Sequence, residues 1–142
     1  MMSRSRELGP SLDAVETMRR LEGAQGGRLL VVEDEMLISM ELCNDLASLG
    51  WEIVGPAGSI EEAFRLLEEF PALDAAVLDV NLGGTLIYPL AERLMSRGVP
   101  LVFCTGYERV DHQEHYHACP IVRKPVNVNL LDGELRRARR AA

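Results

Sequence analysis

The sequence predicts an α/β domain built on a doubly wound, five-stranded parallel sheet. Three observations lead there. Short apolar runs alternate with stretches whose apolar residues recur at helical spacing. The run AAVLDV is apolar at successive positions rather than alternate ones, as a strand covered on both faces must be. Acidic, hydroxyl or basic residues stand where several of the runs end, which is where parallel sheets collect their functional groups.

Taken in order, residues 1–27 read as an N-terminal extension. Ser11 can cap a short helix, SLDAVETMRRLEG, with Leu12, Val15 and Met18 on one stripe, followed by the flexible run Gly23–Gly27. A loosely attached tail and a dimer contact are both open readings of it. The domain proper is read over 28–142. LLVVE (29–33) is the first strand; the helix MLISMELCNDLASLG follows, with Ile38, Leu42 and Leu49 facing inward and Gly50 as its stop. EIVGPA (52–57) is the second strand, and Ser59 caps SIEEAFRLLEEF with Glu62 as its capping-box partner. AAVLDV (75–80) is the third strand. TLIYPLAERLMSRG then reads as a helix with Pro89 in its first turn, where a missing N–H is tolerated. PLVFCT (100–105) and PIVRK (120–124) are the last two strands, and NVNLLDGELRRARR is a final helix capped by Asn127 or Asn129. Between those strands GYERVDHQEHYHAC has no 3.6-residue apolar stripe and predicts a loop or a short helix. Sheets of this size commonly take the order 2-1-3-4-5, an order carried over from known folds rather than read from these residues.

Composition narrows the function. With 142 residues, 47% of them apolar, the chain has material for one ordinary domain. No stretch approaches the roughly 20 apolar residues of a spanning helix, and the start MMSRSRELGP lacks the apolar core of a secretory signal, so a cytoplasmic location is expected. A net charge of −7 opposes binding to DNA, which needs a concentrated basic face. The one basic cluster, Arg136, Arg137, Arg139 and Arg140, suits the C-terminal end of a helix dipole. Cys43, Cys104 and Cys119 have no paired ligand spacing and read as reduced thiols. His112, His115 and His117 read as loop residues rather than metal ligands, with a pH-tuned partner contact left open. Of the 15 basic residues only Lys124 is a lysine, leaving 14 arginines, and that solitude asks for a chemical reason.

The strand ends supply one. In the order 2-1-3-4-5 the first and third strands are neighbours, which brings Glu33 and Asp34 to Asp79. Three crowded carboxylates repel one another unless a proton or a cation intervenes. Mg²⁺ suits such oxygen donors and retains waters and phosphate oxygens among its ligands. Thr105 and Lys124 end the fourth and fifth strands beside them.

LLVVEDE, AVLDVNLGG, VFCTGY and VRKP, in this order and spacing, resemble the receiver domains of two-component response regulators across residues 28–140. The resemblance implies a flavodoxin-like (βα)5 fold and a role as phosphoacceptor signalling domain rather than enzyme, here of the stand-alone type. Asp79 would take the phosphoryl group from a phosphohistidine. Asp34, Asp79 and the backbone carbonyl of Asn81 would hold Mg²⁺, with Glu33 acting through water. The Thr105 hydroxyl and the Lys124 ammonium would meet the phosphoryl oxygens, and Lys124-Pro125 is a candidate cis peptide. A sensor histidine kinase or a histidine phosphotransfer protein is the implied partner, with a downstream protein partner also open. No DNA or membrane is expected as partner, and the chain is read as a monomer or weak dimer.

The match has departures. Many receivers carry a switching aromatic three residues before the lysine, where Ile121 stands here. Phe103–Tyr107 partly resembles the Phe-Ala-Thr-Gly-hydrophobic-Tyr (FATGUY) subgroup of alphaproteobacterial receivers, with Cys104 replacing alanine. Tyr107, Ile121 and Pro125 are therefore the switch candidates, and ordering of a loop is the expected signal. Two competing functions are weighed. A phosphorylation-independent, receiver-like interaction module would tolerate loss of acids that are all present. An aspartyl-nucleophile hydrolase would want an aspartate where Asn81 stands, and a flavin site would not place Glu33-Asp34-Glu35 in its phosphate loop.

Overall fold

The computed structural model describes residues 27–106, 116 and 118–141. Five parallel strands form one sheet: β1 (Gly27–Val32), β2 (Trp51–Ala57), β3 (Ala75–Asp79), β4 (Leu101–Thr105) and β5 (Ile121–Arg123), in the order β2-β1-β3-β4-β5. Among the described residues, four helices cover it: α1 (Met36–Ser48), α2 (Ile60–Glu69), α3 (Tyr88–Ser96) and α4 (Val128–Ala141). None of the described helices is long and apolar enough to cross a membrane.

The period of two in β1 divides the interior. Leu29 and Val31 point to a core shared with Leu42 and Leu46 of α1 and Leu131 and Leu135 of α4. Leu30 and Val32 point to the opposite core, with Ala63 and Leu67 of α2 and Leu90 and Leu94 of α3. Each fully buried leucine contributes roughly 2 kcal/mol from its surface alone. The helices are therefore held by these two faces more than by local propensity.

Several sequence expectations are refined. The inward stripe of α1 is Ser39, Leu42 and Leu46, with Leu49 half-buried just beyond it, while Ile38 is exposed. Ser39 replaces Ile38 because its hydroxyl is satisfied locally, donating to the Met36 carbonyl at 2.9 Å. The helix expected from Thr85 starts at Tyr88, because Asn81–Leu82 and Thr85–Leu86 pair as a small antiparallel ribbon first. Gly83 and Gly84 turn that ribbon with φ of 56° and 98°, the left-handed region that glycine adopts freely. Ser59 accepts from the Glu62 N–H at 3.1 Å, but the Glu62 carboxylate reaches the N–H of Gly58 rather than that of Ser59. Asn127, not Asn129, caps α4, accepting from the Leu130 N–H at 3.1 Å.

Gly27, assigned to the linker by its sequence, is the first residue of β1. Its φ is +92°, and a Cβ there would collide with the Asp74 carboxylate, which accepts the Arg28 N–H at 2.8 Å. The C-terminal arginines are not a free basic patch. Arg136 Nε bonds Asp132 at 2.9 Å and stacks over Trp51, whose Nε1 also donates to Asp132 at 2.8 Å. Arg139 pairs with Asp74. The cysteines are free thiols. The extension 1–26, Tyr107 and the three histidines lie outside the described residues.

Candidate functional site

Strand register builds the site. Val32 pairs with Leu78, so Glu33 and Asp34 emerge from β1 level with Asp79, the last residue of β3. Asp79 pairs with Cys104, so Thr105 stands one residue beyond it on β4. Thr105 pairs with Arg123, and its carbonyl accepts the Lys124 N–H at 2.7 Å. Four successive strand ends thus bring Glu33, Asp34, Asp79, Thr105 and Lys124 to one rim of the sheet. Asp79, Glu33 and Thr105 are buried there and Asp34 is exposed.

Carboxylate oxygens of Glu33, Asp34 and Asp79 all lie within 4.8 Å of one another. The Lys124 ammonium reaches Glu33 Oε1 at 2.7 Å and Asp79 Oδ2 at 3.0 Å, so three acids face one base. Burial opposes the charge on Glu33, yet its bond to Lys124, helped by the Glu35 N–H at 3.0 Å, holds its carboxyl below the ordinary value. Burial instead wins at Asp79 and, with the negative charge of Glu33 beside it, pushes that carboxyl up to about 6 despite the bond to Lys124. Burial also opposes the Lys124 charge, but bonds to the two carboxylates outweigh it and the ammonium stays protonated far above neutrality. Below the rim, burial raises the Cys104 thiol to about 12, which keeps it a packing group rather than a nucleophile.

A surplus of negative oxygen donors, two buried and one at the mouth, is a set that could hold a hard divalent cation and leave outer positions open. Asn81 stands at its edge: its N–H donates to Asp79 Oδ1 at 3.2 Å, and its side-chain oxygen accepts the Gly84 N–H at 2.6 Å, tying the ribbon to the site. The turn of the ribbon lies beside the site: a Cβ at Gly83 would make an ordinary contact, 3.5 Å from Asp34 Oδ2, so it is the positive φ rather than space that favours glycine there.

Lys124-Pro125 is cis, as the resemblance implied; so is Gly55-Pro56, which no motif announced. Ile121 is 41% exposed and fills no aromatic pocket. Among the described residues, Tyr116 is a buried aromatic packed beside β4, one that sequence reasoning passed over as part of a polar loop. Its ring stacks on Tyr88 at 5.1 Å and meets Phe103 edge-on at 5.7 Å, and its hydroxyl bonds Glu92 at 3.0 Å. A lone tyrosine among histidines and acids carries no periodic signal; only its size hinted at burial.

No family model matches the chain. Among curated proteins it is 34% identical over 104 residues to the transcriptional regulatory protein PdtaR of Mycobacterium tuberculosis, covering 72% of this chain and 47% of that protein. It thus spans about half the length of the curated relatives it matches. Among solved structures, SdrG from Sphingomonas melonis Fr1 is 35% identical with a TM-score of 0.67, covering 77% of this chain and 92% of that one. A second SdrG structure is of a BeF₃-activated conformation. The signal receiver domain of a modulated diguanylate cyclase from Desulfovibrio desulfuricans G20 is 29% identical with a TM-score of 0.69, covering 81% and 94%. With the sheet order, the acidic rim and these likenesses together, the chain belongs to the receiver domains of response regulators.

Proposed function

We propose that this receiver accepts a phosphoryl group on Asp79 from a phosphohistidine, with Mg²⁺ bound at the acidic rim. The carrying observation is the position of the Asp79 carboxylate: buried, 3.0 Å from the sole lysine, and within one cluster with Glu33 and Asp34. An Asp79 oxygen forms the bond to phosphorus as the N–P bond of the donor breaks and the imidazole leaves with the electron pair. Phosphoryl transfer asks little covalent help, so the remaining residues orient and neutralise. Lys124 stands ready to pair with the transferred group, since its ammonium already lies on Asp79 Oδ2. The Thr105 hydroxyl is assigned to a phosphoryl oxygen. Asp34, Asp79 and the Asn81 carbonyl would hold Mg²⁺, with Glu33 behind them, and the bound cation supplies charge neutralisation for the crowded oxygens.

A histidine kinase or a histidine phosphotransfer protein is the proposed donor, and the site is proposed to work in the cytoplasm. Output runs through a phosphorelay or through phosphorylation-dependent binding of another protein, without catalysis of any reaction but its own phosphorylation and dephosphorylation. The BeF₃-activated conformation of SdrG supports this reading, because that fluoride has the shape and charge of a phosphoryl group. With Ile121 where a switching aromatic would stand, Tyr107 is the proposed aromatic element of the signal.

Intact-mass measurement after incubation with Mg²⁺ and acetyl phosphate tests the acceptor role. One phosphoryl addition is expected, removable by hydroxylamine and absent from Asp79→Asn. An unmodified wild-type protein, or a modified Asp79→Asn, overturns it.

A further inference from the structure

Glu35 follows the acidic pair and occupies the N-cap position of α1, where a short oxygen side chain ordinarily bonds a free helix N–H. Its side chain makes no such bond. Its backbone N–H is committed to Glu33 Oε2, and its carboxylate leans over the mouth, with Oε1 4.0 Å from Lys124 Nζ and the side chain 61% exposed. The ammonium therefore has two close buried carboxylates and a third, exposed one on its solvent side.

We propose that Glu35 is an electrostatic selector at the site's entrance, one that favours loading of the cation and holds back small anionic phosphodonors. The inference rests on the phosphoacceptor reading. With Glu33, Asp34 and Asp79 ionised, one lysine and one divalent ion bring the inner charges to zero. Glu35 then leaves the entrance negative. That charge attracts an incoming cation and repels an incoming phosphate, the more so the higher the phosphate's charge. A donor delivered by a protein surface is less affected, because its own docking contacts carry it past the entrance.

The test compares wild type, Glu35→Gln, Glu35→Lys and the remote exposed acid variant Glu68→Gln. Phosphorylation is followed by intact mass at saturating Mg²⁺ with two donors. With acetyl phosphate, a dianion, the Asp79–phosphorus bond forms as the acyl P–O bond breaks and acetate departs. With phosphoramidate, a monoanion whose nitrogen already carries its protons, the P–N bond breaks and ammonia departs. Mg²⁺ affinity is measured separately by calorimetry without donor.

Glu35→Gln is expected to speed the acetyl phosphate reaction about two- to fivefold and the phosphoramidate reaction less, while weakening Mg²⁺ binding by a similar factor. Glu35→Lys extends both trends, raised salt erases them, and Glu68→Gln matches wild type. A merely structural role for Glu35 would move rate and affinity in the same direction, and that result overturns the proposal. So does an unchanged ratio between the two donors, or a Glu68→Gln protein that behaves like Glu35→Gln. If no donor labels the wild type, the phosphoacceptor reading falls, and Mg²⁺ affinity alone decides the role of Glu35: a value unaltered in Glu35→Gln overturns it.

Discussion

Asp79 and Glu33 share one ammonium but divide the charge unequally, and that inequality has a pH signature. The folded protein holds the Asp79 carboxyl up to about 6, mainly by burial, against an ordinary value of 3.8. Below the lower value the residue is protonated in both folded and unfolded chains and costs nothing. As pH rises from there to about 6, the unfolded chain releases its proton more readily, so Asp79 destabilises the metal-free fold progressively. A separation of about two pH units corresponds to roughly 3 kcal/mol at most, reduced by the coupling to Glu33 and Lys124. In EDTA, Asp79→Asn is therefore expected to unfold at higher urea than wild type at pH 7, with the gap closing toward pH 4. A gap of constant size across that range would contradict the assignment. At this scale the sequence spoke clearly: an acid pair, an acid, a threonine and a solitary lysine at strand ends. Which carboxylate would keep its proton was not legible, because that depends on burial and on distances to one ammonium.

Elements were legible where period and caps agreed, as in α2 behind Ser59 or α4 behind Asn127. They were misread where a hydrogen bond that the apolar pattern does not show overrode it, whether local or between distant residues. Ile38 looked like core until Ser39 satisfied its own hydroxyl, and Gly27 looked like linker because nothing nearby in sequence announces the carboxylate of Asp74. The docking of α4 is of the same hidden kind. Asp132 accepts from both the Trp51 indole and Arg136, whose guanidinium also donates to the Leu49 carbonyl at 2.6 Å. Asp132→Ala would strand an indole N–H and loosen an arginine, and a loss of about 1–3 kcal/mol is expected in urea unfolding followed by circular dichroism. A loss within a few tenths would mean that water replaces the carboxylate without cost. Arg137→Ala, which removes only the exposed pair with Glu134, is expected to change stability by less than about 0.5 kcal/mol.

Across the whole molecule, the sheet separates two jobs. The layers on either face supply stability, and the rim at the carboxyl ends concentrates charges that the fold tolerates at some expense. A cation binding that rim in the folded state alone stabilises by mass action, about 1.4 kcal/mol at ten times its dissociation constant. Added Mg²⁺ is thus expected to raise the melting temperature by a few degrees, and Asp34→Ala to abolish the rise. A shift that survives Asp34→Ala would place the cation elsewhere. Fold class and strand order were anticipated because the periodicities were plain and the order is common to such sheets; the buried position of Tyr116 was not, since an isolated aromatic in a polar stretch gives no pattern. The only tryptophan, Trp51, begins β2 at the edge of the sheet remote from the acidic rim, about 20 Å away by strand length. Intrinsic fluorescence is consequently a gauge of how firmly the last helix is seated and stays silent when the metal arrives, which lets one sample report on integrity while a different signal counts ions.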